Sequence, residues 1–282
     1  MTGLSVFGKN LVRADRFGIV ALLYAPPPFS ALCIFILHFS IISTLSLTVY
    51  LLFYFNFSID VQGVRKWRLR QKLHDARQSV VDVCFAPRHY GLKLVTCSED
   101  GTSRIYEAAN VTNLSEWRLV ESLAGIHATA ASWNVSRYDA PMLVFGCRDG
   151  TLRWVSWNEA AKHWDELHKV DAHGSKPIHD VKWAPCLGRS YHIVASAGMD
   201  GRVCLWSVSV HKDNISVNLI SSFDQHQAEV WRLEWNISGT VLASSGDDGT
   251  VRLWKADLDG VWSNVSTVQG NEYQNQIGRA HV

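Results

Sequence analysis

Near the end of the chain His226, Ser245 and Asp248 stand close together, and Trp254 follows the aspartate by six residues. Serine, histidine and aspartate are the materials of nucleophilic acyl transfer. An imidazole takes the hydroxyl proton, and a carboxylate orients the imidazole. A catalytic set is needed once per chain, yet the interval from aspartate to aromatic recurs. Trp206 stands six residues after Asp200 and Tyr106 six after Asp100; after Asp149 the place holds Val155, with Trp154 one residue early. Recurrence at equivalent places assigns these residues to architecture. No G-x-S-x-G elbow, H-E-x-x-H pair or glycine-rich phosphate loop accompanies them,. The chain therefore reads as non-enzymatic, with no catalytic, cofactor-binding or metal-ligating residue to name.

The elements that hold these residues repeat as well. Four segments align on an Asp-Gly pair: LVTCSEDGTSRIYE, MLVFGCRDGTLRWVSW, IVASAGMDGRVCLWSV and VLASSGDDGTVRLWKA. The pairs are Asp100-Gly101, Asp149-Gly150, Asp200-Gly201 and Asp248-Gly249, giving a period of 49, 51 and 48 residues. Each is two alternating apolar runs around a short turn, which predicts a hairpin. An apolar strand ending in an aromatic precedes each hairpin (SVVDVCF, HATAASW, IHDVKW, EVWRLEW), and a fourth follows it (EWRLVESL, HWDELHKV, SVNLISSF, VWSNVSTV). Four strands per repeat without helical periodicity describe a propeller blade, so the fold class is all-β, a β-propeller. Four blades are visible over residues 63–270, and KWRLRQKL ahead of them resembles the outer strand of one more.

Composition narrows the function. The chain has 27 Lys and Arg against 26 Asp and Glu. From Gly63 onward the balance is zero, because Lys9, Arg13 and Arg16 precede it with Asp15 and Asp60. A neutral domain has no field to hold a phosphate backbone, so no direct nucleic-acid partner is expected. The cluster Arg65, Lys66, Arg68, Arg70 and Lys72 alternates with apolar residues and reads as the wet face of a strand,. The six cysteines (33, 84, 97, 147, 186, 204) form no CxxC pair and suit buried thiols in a reducing compartment,.

The two ends differ from the repeats. Residues 1–62 form an atypical apolar segment without a charge between Arg16 and Asp60. Two readings stand: a translated polypyrimidine-rich intron, or a transmembrane anchor over residues 29–57, which alone would bring a membrane into play. In the tail, residues 271–282, the closing Ile277–Val282 can be written in codons that match a sequencing adapter.

The repeats resemble WD repeats, in which such residues form a buried hydrogen-bond network that binds the loop before a blade to its central hairpin. That resemblance makes Asp100, Gly101, Asp149, Gly150, Asp200, Gly201, Trp206, His226, Ser245, Asp248, Gly249 and Trp254 structural,. More specific stretches are APRHYGLKLVTCSEDGTSRIYE, LGRSYHIVA and EVWRLEWNISGTVLASSGDDGTVRLWKA. Over about residues 64–270 they resemble the Seh-type nucleoporins of the Sec-thirteen/Seh family. The second repeat, MLVFGCRDGTLRWVSW, fits a general WD motif better than the family phrase.

The resemblance implies an open six-bladed propeller completed by the N-terminal strands of an α-solenoid nucleoporin. It implies a scaffold subunit of the outer-ring (Y-shaped) complex at the nuclear pore, in the nuclear envelope. The same propeller would serve the GATOR/SEA assembly of nutrient-responsive TOR signalling at the lysosomal or vacuolar surface. Neither role needs a cofactor. The alternatives are a Sec-thirteen-type vesicle-coat subunit and a membrane-anchored WD-repeat adaptor.

Overall fold

The computed structural model describes residues 71–110, 116–186, 188–210 and 214–269 with their side chains, and of residues 1–70 only the backbone of six strands. Of residues 1–62, read as an intron or as an anchor over 29–57, strand backbone alone is described, and the tail 271–282 lies outside the described residues. Among the described residues no helix is long and apolar enough to cross a membrane.

The chain divides into two compact units, Met1–Val80 with Tyr106–Leu119, and Val81–Ile105 with Val120–Val282. In the first, strands β1 (Leu4–Val6), β2 (Lys9–Ala14), β3 (Ile19–Tyr24), β4 (Leu32–Leu37), β5 (Phe53–Ile59) and β6 (Arg65–Leu69) pair in chain order. The segment read as a lone outer strand thus contributes β6, paired with β5. Within the same unit the Tyr106 hydroxyl donates to Asp75 Oδ2 (3.1 Å), and the Trp117 amide donates to Gln71 Oε1 (2.7 Å).

The repeats fold as expected, into four antiparallel four-stranded sheets. The first comprises β7 (Val80–Phe85), β8 (Lys93–Ser98), β9 (Thr102–Ala108) and β10 (Trp117–Ala124). The second comprises β11 (Ala128–Trp133), β12 (Met142–Cys147), β13 (Thr151–Asn158) and β14 (His163–Asp171). The third comprises β15 (Ile178–Trp183), β16 (His192–Gly198), β17 (Val203–His211) and β18 (Asn214–Phe223). The fourth comprises β19 (Val230–Trp235), β20 (Val241–Gly246), β21 (Thr250–Ala256) and β22 (Trp262–Gln269). Every central hairpin turns on its Asp-Gly pair. The glycine amide bonds the carbonyl three residues back, as from Gly249 to Gly246 O (3.2 Å), and its φ lies between 70° and 80° in all four turns. Only glycine adopts that backbone without strain.

Strand alternation sends one set of side chains to each neighbouring sheet. In the third sheet Val194, Cys204 and Trp206 join the core shared with the second, where Met142, Val144, Leu152 and Trp154 lie. Ile193, Ala195, Ala197, Val203 and Leu205 join the core shared with the fourth, with Leu233, Trp235, Leu242 and Trp254. Such face-to-face stacking of blades is the propeller's way of burying both faces of each sheet.

The inner strands are also tied by polar bonds. Asp82 Oδ1 accepts the Val83 amide (2.9 Å) within β7, while Oδ2 accepts the Ala131 amide of β11 (2.8 Å). Asp180 repeats this from β15 to β19, with Oδ1 on the Val181 amide (2.9 Å) and Oδ2 on the Leu233 amide (2.8 Å). Between them the Ser132 hydroxyl of β11 accepts the Trp183 amide of β15 (2.9 Å). Trp133 and Trp235 add indole donations to Cys84 O and Lys182 O, each at 3.2 Å. Burial pushes the Asp180 carboxyl above its ordinary value, against the pull of nearby Lys182 and Arg232 and of the Leu233 amide.

Removing the carboxylate leaves two buried amides without an acceptor. Asp180→Ala should destabilise the chain by about 2–3 kcal/mol in urea unfolding, and Asp180→Asn, which keeps one carbonyl oxygen, by less. Equal stability of Asp180→Ala and the parent chain would disprove the clamp.

Candidate functional site

The residues singled out from the sequence fall into two groups: turn caps and relays. Each repeat aspartate caps its own hairpin. An Oδ1 atom accepts the amide two residues on, at Thr102 (2.9 Å), Thr151 (3.1 Å), Arg202 (3.1 Å) and Thr250 (3.0 Å). Local bonds of this kind are what suit aspartate to tight turns.

In the fourth sheet the cap is also one end of a relay. His226 Nδ1 lies 2.9 Å from Asp248 Oδ2, His226 Nε2 lies 2.7 Å from Ser244 Oγ, and the Trp254 indole donates to the same hydroxyl at 2.8 Å. A carboxylate accepts only, and an indole N–H donates only. Burial favours the neutral imidazole, and the direction follows: Trp254 N–H to Ser244, Ser244 O–H to His226 Nε2, His226 Nδ1–H to Asp248. The third sheet holds a second relay, with His173 Nδ1 to Asp200 at 2.8 Å, His173 Nε2 to Ser196 at 2.9 Å and the Trp206 indole to Ser196 at 3.0 Å.

The serine read from sequence is corrected by one position. Ser244, not Ser245, meets His226 and Trp254. Along β20 side chains alternate, and Ser244 is buried on the relay side with Leu242, whereas Ser245 shares the opposite face with Val241 and Ala243,. His173 and Ser196 went unnamed in the sequence reading. The signal for the serine was present, since Ser196 and Ser244 both stand four residues before their aspartates.

Among the described residues the other two repeats show no such relay. Phe145 and Thr96 occupy the serine place. Asp100 pairs with Arg104 (2.8 Å), and both side chains are 8% exposed. Asp149 is 49% exposed and lies 3.8 Å from Arg153 and 3.6 Å from Lys169. Trp154, one residue early in sequence, consequently points to the third sheet, while Val155 points back to the first.

The distances from serine to histidine to aspartate are those of a hydrolytic triad, but the surroundings forbid attack. Both hydroxyls are buried, each is held by an indole donor, and each faces the packed interior between two sheets. Three of the thiols offer no nucleophile in exchange. Burial pushes Cys84 up to about 12 and Cys147 up to about 11, and lifts Cys97 well above its ordinary value. Among the described residues no group of His, Cys, Asp and Glu could hold a metal ion.

Stacked four-stranded sheets with Asp-Gly turns and buried Asp-His-Ser-Trp relays define a WD-repeat β-propeller. Residues 67–107, 164–207 and 217–255 match the family model of the WD domain, G-beta repeat. The chain is 40% identical over 240 residues to Nucleoporin SEH1-A of Xenopus laevis, covering 77% of this chain and 66% of that one. It is 40% identical over 228 residues to Nucleoporin SEH1 of Homo sapiens (75% and 63%) and 39% identical over 226 residues to that of Danio rerio (74% and 62%). The chain thus spans just under two thirds of the length of these relatives. It belongs to the Seh-type WD-repeat nucleoporins.

Two measurements check the relay. Ser244→Ala strands the Trp254 indole and His226 Nε2 and should cost about 1–3 kcal/mol, whereas Ser245→Ala should stay within about 0.5 kcal/mol, both read from urea unfolding. The pH dependence follows from the same groups. For Asp248 burial acts upward, but the Thr250 hydroxyl and amide and His226 outweigh it and bring the carboxyl down to about 2. Burial lowers His226, against the pull of Asp248. Both groups bind protons more readily unfolded. Stability should therefore begin to fall below about pH 6.5 as unfolded histidine protonates, and fall further between about pH 4 and 2, the aspartate share being on the order of 2 kcal/mol. Acid titration of unfolding should show this slope flattened in His226→Gln; an unchanged slope would exclude the relay as its source.

Proposed function

We propose that the chain acts as a non-enzymatic scaffold subunit of the nuclear-pore outer-ring complex, pairing with an α-solenoid nucleoporin by blade complementation. The observation that carries this reading is the likeness to nucleoporins over three quarters of the chain, joined to a relay chemistry wholly consumed by architecture.

The outer face of the fourth sheet supports complementation. Val241, Ala243, Val251 and Leu253 stand there at the places of Ile193, Ala195, Val203 and Leu205 in the third sheet. The latter four are buried against the fourth sheet, whereas none of the former is fully buried and Val251 is 41% exposed. A face of that composition suits another blade, whether from the same chain or from a partner. The same surface logic extends to a second assembly, the GATOR/SEA complex of TOR signalling, at the lysosomal or vacuolar membrane surface.

Affinity purification through a tag placed after Gln269, followed by mass spectrometry, tests the proposal. Outer-ring nucleoporins with an α-solenoid subunit are the expected partners, and GATOR/SEA subunits would add the second assembly. Vesicle-coat subunits alone would overturn it in favour of the Sec-thirteen branch, and integral membrane proteins alone in favour of an anchored adaptor.

A further inference from the structure

One exposed cluster takes no part in the relays or in the packed cores. Trp231, in β19, is 44% exposed, although tryptophan is the side chain with most to gain from burial,. The His179 ring of β15 stacks on it, with centroids 4.0 Å apart and planes 15° from parallel. The Trp231 indole donates to Asp247 Oδ1 at 2.7 Å, the Asp247 amide donates to Glu229 O at 2.9 Å, and Glu229 Oε2 lies 3.1 Å from His179 Nε2. These contacts form a closed ring: Trp231, Asp247, Glu229, His179 and back to Trp231. They hold the indole rigidly, with one face covered, its N–H spoken for and the remaining surface open to solvent.

Equivalent places elsewhere do not build such a ring. The second position of the inner strand is Val81 in β7 and Thr129 in β11, and the Thr129 hydroxyl is spent on Gly146 O and Ile178 O. Two cations on the preceding hairpin turns are engaged elsewhere, Arg148 with Glu99 at 3.3 Å and Arg202 with Asp200 at 2.8 Å. What remains is an electron-rich ring face flanked by the carboxylates of Asp247 and Glu229.

We propose that Trp231, backed by His179 and flanked by Asp247 and Glu229, binds an arginine side chain of a partner polypeptide. A guanidinium is planar, so it stacks on the open indole face while its N–H groups reach the carboxylates. A lysine ammonium offers charge without the plane. An anionic partner such as a phosphate backbone meets two carboxylates and is repelled. The near-neutral chain, +1 overall, has no general field to gather cations, so binding of an arginine peptide reports on a local site,.

The test is fluorescence anisotropy of labelled oligo-arginine, oligo-lysine and oligo-glutamate peptides against the full chain at physiological salt. Saturable binding of oligo-arginine, tighter than that of oligo-lysine and absent for oligo-glutamate, is expected. Trp231→Ala should weaken it about three- to thirtyfold, and Asp247→Asn by a smaller factor, while Asp259→Asn at an exposed turn leaves it unchanged. Trp231→Phe keeps a ring without the N–H and should fall between the parent chain and Trp231→Ala. Should Trp231→Ala fail to unfold cooperatively, Asp247→Asn and Trp231→Phe decide. Absence of binding, equal affinity for oligo-lysine, or undiminished affinity in the Trp231 and Asp247 variants would overturn the proposal.

Discussion

A buried carboxylate that takes one amide from its own strand and one from the next sheet is the interaction on which this structure turns. Sheets that meet through apolar faces can slide, because dispersion and the hydrophobic effect have little direction. A hydrogen bond at 2.8 Å does not allow that,. Asp82 and Asp180 fix the inner strand of one blade against the inner strand of the following one. With that register set, the alternation of each strand delivers Ile193, Ala195 and Leu205 to one neighbour and Val194 and Trp206 to the other. The burial that lifts the Asp180 carboxyl measures what this precision costs.

The relay is the second layer of the same design. Its serine, histidine and aspartate sit at distances that would serve catalysis in an open cleft. Here the indole of Trp254 or Trp206 occupies the hydroxyl, and a neighbouring sheet closes over it. Geometry alone therefore does not separate a triad from a brace; access to the nucleophile does. The same histidine that would take a proton in an enzyme here ties the loop before a blade to the hairpin inside it.

The hairpins were legible because an Asp-Gly turn is a local event, fixed by a glycine at positive φ and a carboxylate bonding two residues ahead. The relay was legible at its aspartates and tryptophans, whose separation is constant within a hairpin, and at His226. Its serine was misplaced by one residue because two serines adjoin in VLASSG, and only the strand's facing chooses between them. His173 was missed because it lies on a loop of variable length: 27 residues separate it from Asp200, against 22 between His226 and Asp248. The stacked pair of His179 and Trp231 joins residues 52 positions apart and left no trace in any repeat pattern.

The second blade places Phe145 where its successors have a serine, and its aspartate stays half exposed. Two kinds of mortar thus join one wall. Apolar contact weakens as water is cooled, whereas a satisfied hydrogen-bond relay does not depend on that entropy. Cold therefore weighs more on the packing around Phe145 than on the two hairpins braced by histidine.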